Sequence, residues 1–197
     1  MTTVLRFRDH RLPRALAGAT TAHITDPAAI DEAIGDARRV AVVGGDADLA
    51  AVLTRLLRID RLDVEVAHIR NWRSARRATS APAHRIPLIR DDTGTALVGS
   101  ALWLPPEGAD MLHGEAVVDD TVLFDGAVTG VRIEPTATMP GLRARLIAGP
   151  RGRWVSGRAA QLGTTGVRVI SDGVPGRREP RRSTFYRHTT GWLRVDC

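Results

Sequence analysis

Apolar and polar positions alternate with two different periods along the chain, and the change of period divides it. In the stretch RVAVVGGDADLAAVLTRLLR (residues 39–58), Val40, Ala41, Val42 and Val43 form an unbroken apolar run rich in β-branched residues. Such a run suits a strand covered on both faces. Gly44-Gly45 breaks it, and Leu49, Val52, Leu53, Leu56 and Leu57 then repeat at i, i+3, i+4, i+7 and i+8, one face of a helix. Asp46 and Asp48 stand where a helix start needs acceptors for its free N–H groups. The stretch reads strand, tight turn, helix, a turn that in α/β proteins lies at the ligand-binding carboxyl end of the sheet.

Upstream, Val4–Phe7 predicts a strand, Leu12–Leu16 a brief helix and Thr21–Thr25 a second strand. Asp26-Pro27 is a helix start, with Ala28, Ile30, Ala33 and Ile34 as the buried side and Gly35 as the stop. Downstream, Leu62–Ile69 alternates as a strand and Asn71–Thr79 predicts a short arginine-rich helix. Strands and helices alternating in this way imply a mostly parallel sheet with helices on its faces.

After Ser80-Ala81-Pro82 the helical period is lost. Extended runs take over at Arg85–Ile89, Ala96–Leu104, Glu115–Phe124, Val128–Glu134, Leu142–Ile147, Trp154–Gln161, Val167–Ile170 and Ser183–Val195. Asp92-Thr93-Gly94, Asp125-Gly126, Met139-Pro140-Gly141 and Asp172-Gly173 punctuate them. The expected architecture is α/β plus all-β: a Rossmann-like three-layer α/β domain over residues 1–85, then a β-sandwich over 86–197. Trp103, Trp154 and Trp192 fall in apolar β runs and are expected in the core.

Composition narrows function little. The chain of 197 residues carries a formal charge of +6, but all 28 basic residues are arginine, as a GC-rich coding bias produces. A nucleic-acid partner is therefore allowed, not indicated. Cys197 is the only cysteine, so a disulfide framework or Cys-based metal site within one chain is excluded. No run reaches the roughly 18 apolar residues of a membrane span, and a cytoplasmic protein is the expectation. His10, His23, His68, His84, His113 and His188 lack metal-ligand spacing and read as structural or surface residues. Asp91-Asp92 and Asp119-Asp120 read as loop carboxylates. Arg70, Arg73, Arg76 and Arg77 border the glycine turn and are candidates for phosphate or an anionic lipid surface. Arg151/Arg153 and Arg177/Arg178/Arg181/Arg182 read better as solvated surface charge.

The stretch VVGGDADLAAVLTRLL resembles the glycine-rich motif of the diacylglycerol and sphingosine lipid kinases and the NAD kinases, which runs Gly-Gly-Asp-Gly-Thr-Leu at a strand end. Ile69-Arg70-Asn71-Trp72-Arg73-Ser74-Ala75-Arg76 stands where lipid kinases carry Gly-Thr-x-Asn-Asp-x-Ala-Arg, and Asn71 is the only asparagine of the chain. Val169–Val174 is similar to the Asp-Gly-Glu segment of their β-sandwich, and Arg85–Ala101 and Val117–Glu134 resemble its early strands. The resemblance implies a shortened lipid-kinase-like protein with a nucleotide at Gly44, Gly45, Asp46, Ala47 and Asn71. It implies ATP and Mg²⁺ as cofactors, with Asp46 and Asp48 as metal candidates and Asp46 and Asp172 as catalytic ones. A homodimer and a lipid surface stay open as partners.

The departures fall on chemistry. Ala47 replaces a glycine, which costs on the order of 1 kcal/mol if that backbone needs φ > 0. Asp48 replaces a threonine, and two unit charges about 4 Å apart at an effective dielectric near 20 repel by roughly 4 kcal/mol unless a Mg²⁺ ion intervenes. Ile69, Arg70 and Trp72 replace family residues around Asn71, and Val174 stands where the family has a catalytic glutamate, with Glu179 as the nearby substitute. The amino-terminal Asn-Pro-x-Ser-Gly loop is not recognisable near Phe7–Arg14. The expectation is a lipid kinase that is weak or inactive; the alternatives are a non-catalytic nucleotide- or partner-binding protein, or an anion-surface binder.

Overall fold

The computed structural model describes residues 2–147 and 152–197. They form two compact units, one of Met1–Ile86 with Thr190–Cys197, the other of Pro87–Thr189. The whole is mixed α/β and mostly strand.

In the first unit the order is β1 (Thr2–Phe7), a 3₁₀ turn (Arg14–Leu16), β2 (Thr20–Ile24), α1 (Pro27–Ile34), β3 (Arg39–Val43), α2 (Asp46–Arg58), β4 (Glu65–His68), α3 (Trp72–Arg77) and β5 (Ala83–Ile86). The sheet runs β2-β1-β3-β4-β18-β5, where β18 is Trp192–Val195. All neighbours are parallel except β18 and β5. Strand β3 is interior, and Val40 to Val42 are wholly inaccessible, as the continuous apolar run implies. Leu49, Val52, Leu53 and Leu56 form the buried stripe of α2. Asp26 caps α1 by accepting the N–H groups of Ala28 and Ala29 at 2.9 and 3.0 Å.

The predicted strand over Leu62–Ile69 shortens to Glu65–His68, because Leu62 and Val64 are buried from turns that precede it. A larger difference lies at the other end of the chain. The run Ser183–Val195 is two strands, and the second, β18, joins the first unit, where residues 86–197 were expected to form one domain. Partner choice is non-local, so no period in the sequence reports it. The seat is close-fitting: a Cβ on Gly191 would lie 2.1 Å from the Ile86 carbonyl oxygen.

The second unit contains β6 (Ile89–Asp91), β7 (Ala96–Leu97), β8 (Ala101–Leu104), β9 (Leu112–Val118), β10 (Thr121–Val128), β11 (Val131–Pro135), β12 (Leu142–Leu146), β13 (Val155–Gly157), β14 (Ala159–Thr164), β15 (Arg168–Ser171), β16 (Val174–Pro175) and β17 (Arg182–Arg187). They form two six-stranded sheets, β10-β9-β14-β17-β6-β7 and β13-β12-β11-β8-β15-β16, all of whose paired neighbours are antiparallel. Inward side chains of both, among them Trp103, Val131, Ile133 and Leu142 from one and Leu112, Val118, Leu162 and Phe185 from the other, make a single core.

Several runs divide where turn chemistry intervenes. Arg85–Ile89 splits around Pro87, which has no N–H for a ladder. Glu115–Phe124 is a hairpin turning at Asp119-Asp120, with Asp119 at φ 50. The Asp119 carboxylate accepts the N–H groups of Arg158 and Ala159, the point at which Trp154–Gln161 breaks. Asp91 likewise accepts from the backbone of Thr93 and Thr95. Trp103 is fully buried and Trp192 nearly so, but Trp154 is outside the core, half-buried beside Arg143 and Arg145. Arg151 lies outside the described residues.

At the centre of this core the indole N–H of Trp103 donates to the buried Ser183 hydroxyl at 2.9 Å. Trp103→Phe leaves that hydroxyl without its donor and is expected to lower stability by about 1–3 kcal/mol. Urea unfolding followed by circular dichroism measures it, and Trp103→Phe combined with Ser183→Ala should recover part of the loss.

Candidate functional site

In the sheet of the first unit, successive connections leave β1 towards β2 on one side and then place β3 and β4 on the other. Ligands of open α/β sheets bind at this kind of reversal, outside the carboxyl ends of the strands. A cavity of about 500 Å³ lies there, lined by His10–Arg14 after β1, Val43 and Gly44 at the end of β3, and Ile69–Trp72 after β4. Its wall includes Arg11, Arg14 and Arg70 and no acidic residue.

The turn between β3 and α2 is set by one carboxylate. Asp48 is only 8% exposed, and its Oδ2 accepts the Gly45 N–H at 2.8 Å, closing a capping box on α2. Gly44 is needed for space rather than for φ, since a Cβ there would come 2.6 Å from that same Oδ2. Gly45 has φ −86, and Ala47 lies inside the helix with no positive φ. The penalty expected for alanine at 47 therefore does not arise: the turn is shaped by the Asp48 side chain, not by a left-handed residue.

Asp46 does not join Asp48 as a metal pair. Its Oδ1 accepts from Arg70 Nη2 at 2.8 Å, whereas Asp48 is folded back onto the backbone. Among the described residues no group of three or more His, Cys, Asp or Glu side chains is placed to hold a metal ion. Mg²⁺ coordinated by this pair does not fit the donor set.

Asn71 is the N-cap of α3, its Oδ1 accepting the N–H groups of Arg73 and Ser74 at 2.9 and 3.0 Å. The buried Ser74 hydroxyl reciprocates by accepting the Asn71 N–H at 3.0 Å. Asn71 lines the cavity while its carbonyl oxygen is committed to the helix. Trp72, 61% exposed, stands beside it with Arg73 and Arg76 about its ring, their guanidinium carbons 5.3 and 5.4 Å from the centroid.

His68, read from sequence as a background residue, is part of the turn. Arg70 Nε–H can only donate and lies 3.1 Å from His68 Nδ1, so Nδ1 accepts. The proton is then on Nε2, which donates to the Gly44 carbonyl oxygen at 3.1 Å. Burial lowers the His68 pKa below the ordinary 6.5, and Arg70 adds to that, while the Gly44 carbonyl, Asp46 and Asp48 oppose it. The neutral ring thus links the glycine turn, Arg70 and Asp46. Its position two residues before Arg70 was visible, but not the sheet register that brings it to Gly44.

The remaining candidates are elsewhere, in the second unit. Asp172 and Gly173, at φ 51 and 81, make the two-residue hairpin turn between β15 and β16. The Asp172 carboxylate accepts the N–H groups of Val98, Gly99 and Ser100 at 3.0, 2.6 and 3.0 Å, holding the bend before β8. Val174 follows it, more than half exposed, and Glu179 accepts the Glu107 N–H at 2.8 Å. Both carboxylates thus have backbone partners within their own unit.

No protein-family model matches the sequence, and neither does any curated protein. Solved structures do match. An NAD kinase from Archaeoglobus fulgidus, in complex with ATP, superposes with TM-score 0.68 at 14% identity over 100% of this chain and 94% of that one. A diacylglycerol kinase from Bacillus anthracis str. Sterne gives TM-score 0.73 at 9% identity over 98% and 96%. This chain has the NAD kinase and diacylglycerol kinase fold. No helix of the described residues is long and apolar enough to cross a membrane.

The neutral state of His68 makes the kinase-fold turn acid-sensitive. Its folded pKa is depressed, so the stability it contributes is present above the ordinary value of 6.5 and is lost as pH falls below it. His188, lowered by burial and by Arg90, acts with the same sign. Melting temperature measured from pH 7.5 to 5 should fall, and His68→Gln should reduce the slope to the remainder that His188 and the carboxylates supply.

Proposed function

We propose that this chain is a kinase-fold protein that binds an anionic, nucleotide-sized ligand in the cavity beyond β1, β3 and β4 and transfers phosphoryl groups weakly or not at all. The observation that carries the reading is the Asp48 carboxylate on the Gly45 N–H. Phosphate-binding turns work because their N–H groups are free for an anion. Here a donor is taken internally, and the oxygen that takes it is itself negative. A phosphate group about 4 Å from it would be repelled by roughly 4 kcal/mol at an effective dielectric near 20.

The cavity nonetheless suits an anion. The Arg11 and Arg14 side chains line it without a hydrogen bond or ion pair among the described residues, while Arg70 is shared with Asp46 and His68. Trp72 offers a planar surface beside them. ATP in the Archaeoglobus kinase supports a nucleotide as the ligand class. On this reading the unit of Met1–Ile86 with Thr190–Cys197 corresponds to the nucleotide-binding half and the two-sheet unit to a β-sandwich half. The general-base position is vacant at Val174, a loss that costs roughly 10²–10⁴-fold in a step needing proton transfer. Ligand capture without turnover is the activity this leaves.

Two measurements test it. Phosphate transfer from radiolabelled ATP to diacylglycerol, sphingosine or NAD, with Mg²⁺, is expected to be undetectable; turnover near 1 s⁻¹, the low end for typical enzymes, overturns the proposal. Calorimetric titration of ATP should show weak binding that strengthens by about tenfold or more in Asp48→Asn, which removes the charge and keeps the shape. Unchanged affinity in that variant would mean the carboxylate is not the barrier.

A further inference from the structure

The sheet β13-β12-β11-β8-β15-β16 turns one face into the core of the second unit; the other carries a different chemistry. Arg143 and Arg145 alternate with the buried Leu142 and Ala144 on β12, and Arg132 and Glu134 with the buried Val131 and Ile133 on β11. Leu102 and Leu104 alternate in the same way with Ala101 and Trp103 on β8. The register places Arg145 opposite Arg132, Arg132 opposite Leu102, and Leu102 opposite Ile170 of β15. At about 4.8 Å between strands, these four side chains form a cross-strand row roughly 15 Å long, cationic at one end and aliphatic at the other.

The cationic end is organised. The guanidinium carbons of Arg143 and Arg145 lie 4.2 and 4.7 Å from the centroid of the Trp154 ring. Glu134 accepts from both Arg132 and Arg143, at 2.7 and 2.6 Å, and these two arginines are each 42% exposed. Burial works against the Glu134 carboxylate, but the hydrogen bonds from Arg143 and Arg132 outweigh it and hold its pKa below the usual range. One carboxylate thus fixes two arginines, and Arg145 stays unpaired among the described residues. Arg168, opposite Leu104 on β15, is also exposed and without an ion pair among the described residues. Four arginines share this face with one glutamate.

We propose that this face docks on an anionic lipid bilayer surface. Arginines pair with headgroup phosphates, a tryptophan suits the interface, and Leu102 and Ile170 suit its apolar side. A nucleic acid would use the charge but not the aliphatic end of the row, and it would need an open aromatic face, whereas the Trp154 ring is already covered by two guanidiniums. The proposal is independent of the closed glycine turn, because docking requires no nucleotide.

Vesicle sedimentation tests it, with equimolar phosphatidylglycerol and phosphatidylcholine against phosphatidylcholine alone. Binding is expected only to the anionic vesicles, reduced about fivefold in each of Arg145→Gln and Arg132→Gln. The pair Arg177→Gln/Arg178→Gln, in the exposed stretch between β16 and β17, should bind as the unaltered protein does. Equal binding to zwitterionic vesicles, an equal loss in the Arg177/Arg178 variant, or tighter binding to a single-stranded RNA oligonucleotide overturns the proposal. A second readout guards against misfolded variants. Brominated anionic lipids should quench tryptophan fluorescence of the unaltered chain, and Trp154→Phe should abolish the quenching while Trp72→Phe keeps it; the reverse pattern overturns the assignment.

Discussion

A single hydrogen bond organises the first unit: the Asp48 carboxylate on the Gly45 N–H, with Gly44 bare of a side chain beneath it. It starts α2 within two residues of the end of β3, and it keeps a negative charge beside the glycine turn. The neighbouring groups follow from that charge. Asp46, left outside the capping box, pairs with Arg70; Arg70 engages His68; and His68 returns to the Gly44 carbonyl. The circuit is closed on itself. The hydrogen bonds among these residues need no ligand to complete them.

Most of the first unit was legible because its signals are local. The apolar run of β3, the stripe of α2, the Asp26-Pro27 start and the Asn71 cap each sit within one turn or one strand of the residues they govern. The motif order also pointed to the kinase fold at an identity with solved structures of only 14% and 9%. What stayed hidden depends on register. His68 acquires its role because β4 pairs with β3 so that Val42 faces it, bringing its ring to the residue after Val43. Arg11 and Arg14 become cavity residues because β1 lies beside β3. Asp172 fits a turn signal, yet its three backbone donors sit more than seventy residues away in sequence.

The arginines show the same limit. The clusters adjacent in sequence lie at residues 70–77 and 177–182, whereas the arginines that converge lie on neighbouring strands: Arg132, Arg143 and Arg145. Their alternation with Val131, Ile133, Leu142 and Ala144 is visible, but it reads only as a half-buried strand. The apolar β run around Trp154 predicts a core position for it. Two guanidiniums stacked on it account for its position at the surface instead.

The path of the chain through its two units has a consequence for how it is made. The first unit is left at Ile86 and resumed at Thr190, so β4 and β5 wait for β18 to come between them. Before Trp192–Val195 has been synthesised, the ladder positions of β4 and β5 that β18 takes have no partner, whereas the residues of the second unit are all present by Thr189. The sheet of the first unit is therefore complete only with a strand encoded after the whole of the second unit. The glycine turn belongs to a sheet whose strands come from both sides of that unit in the sequence.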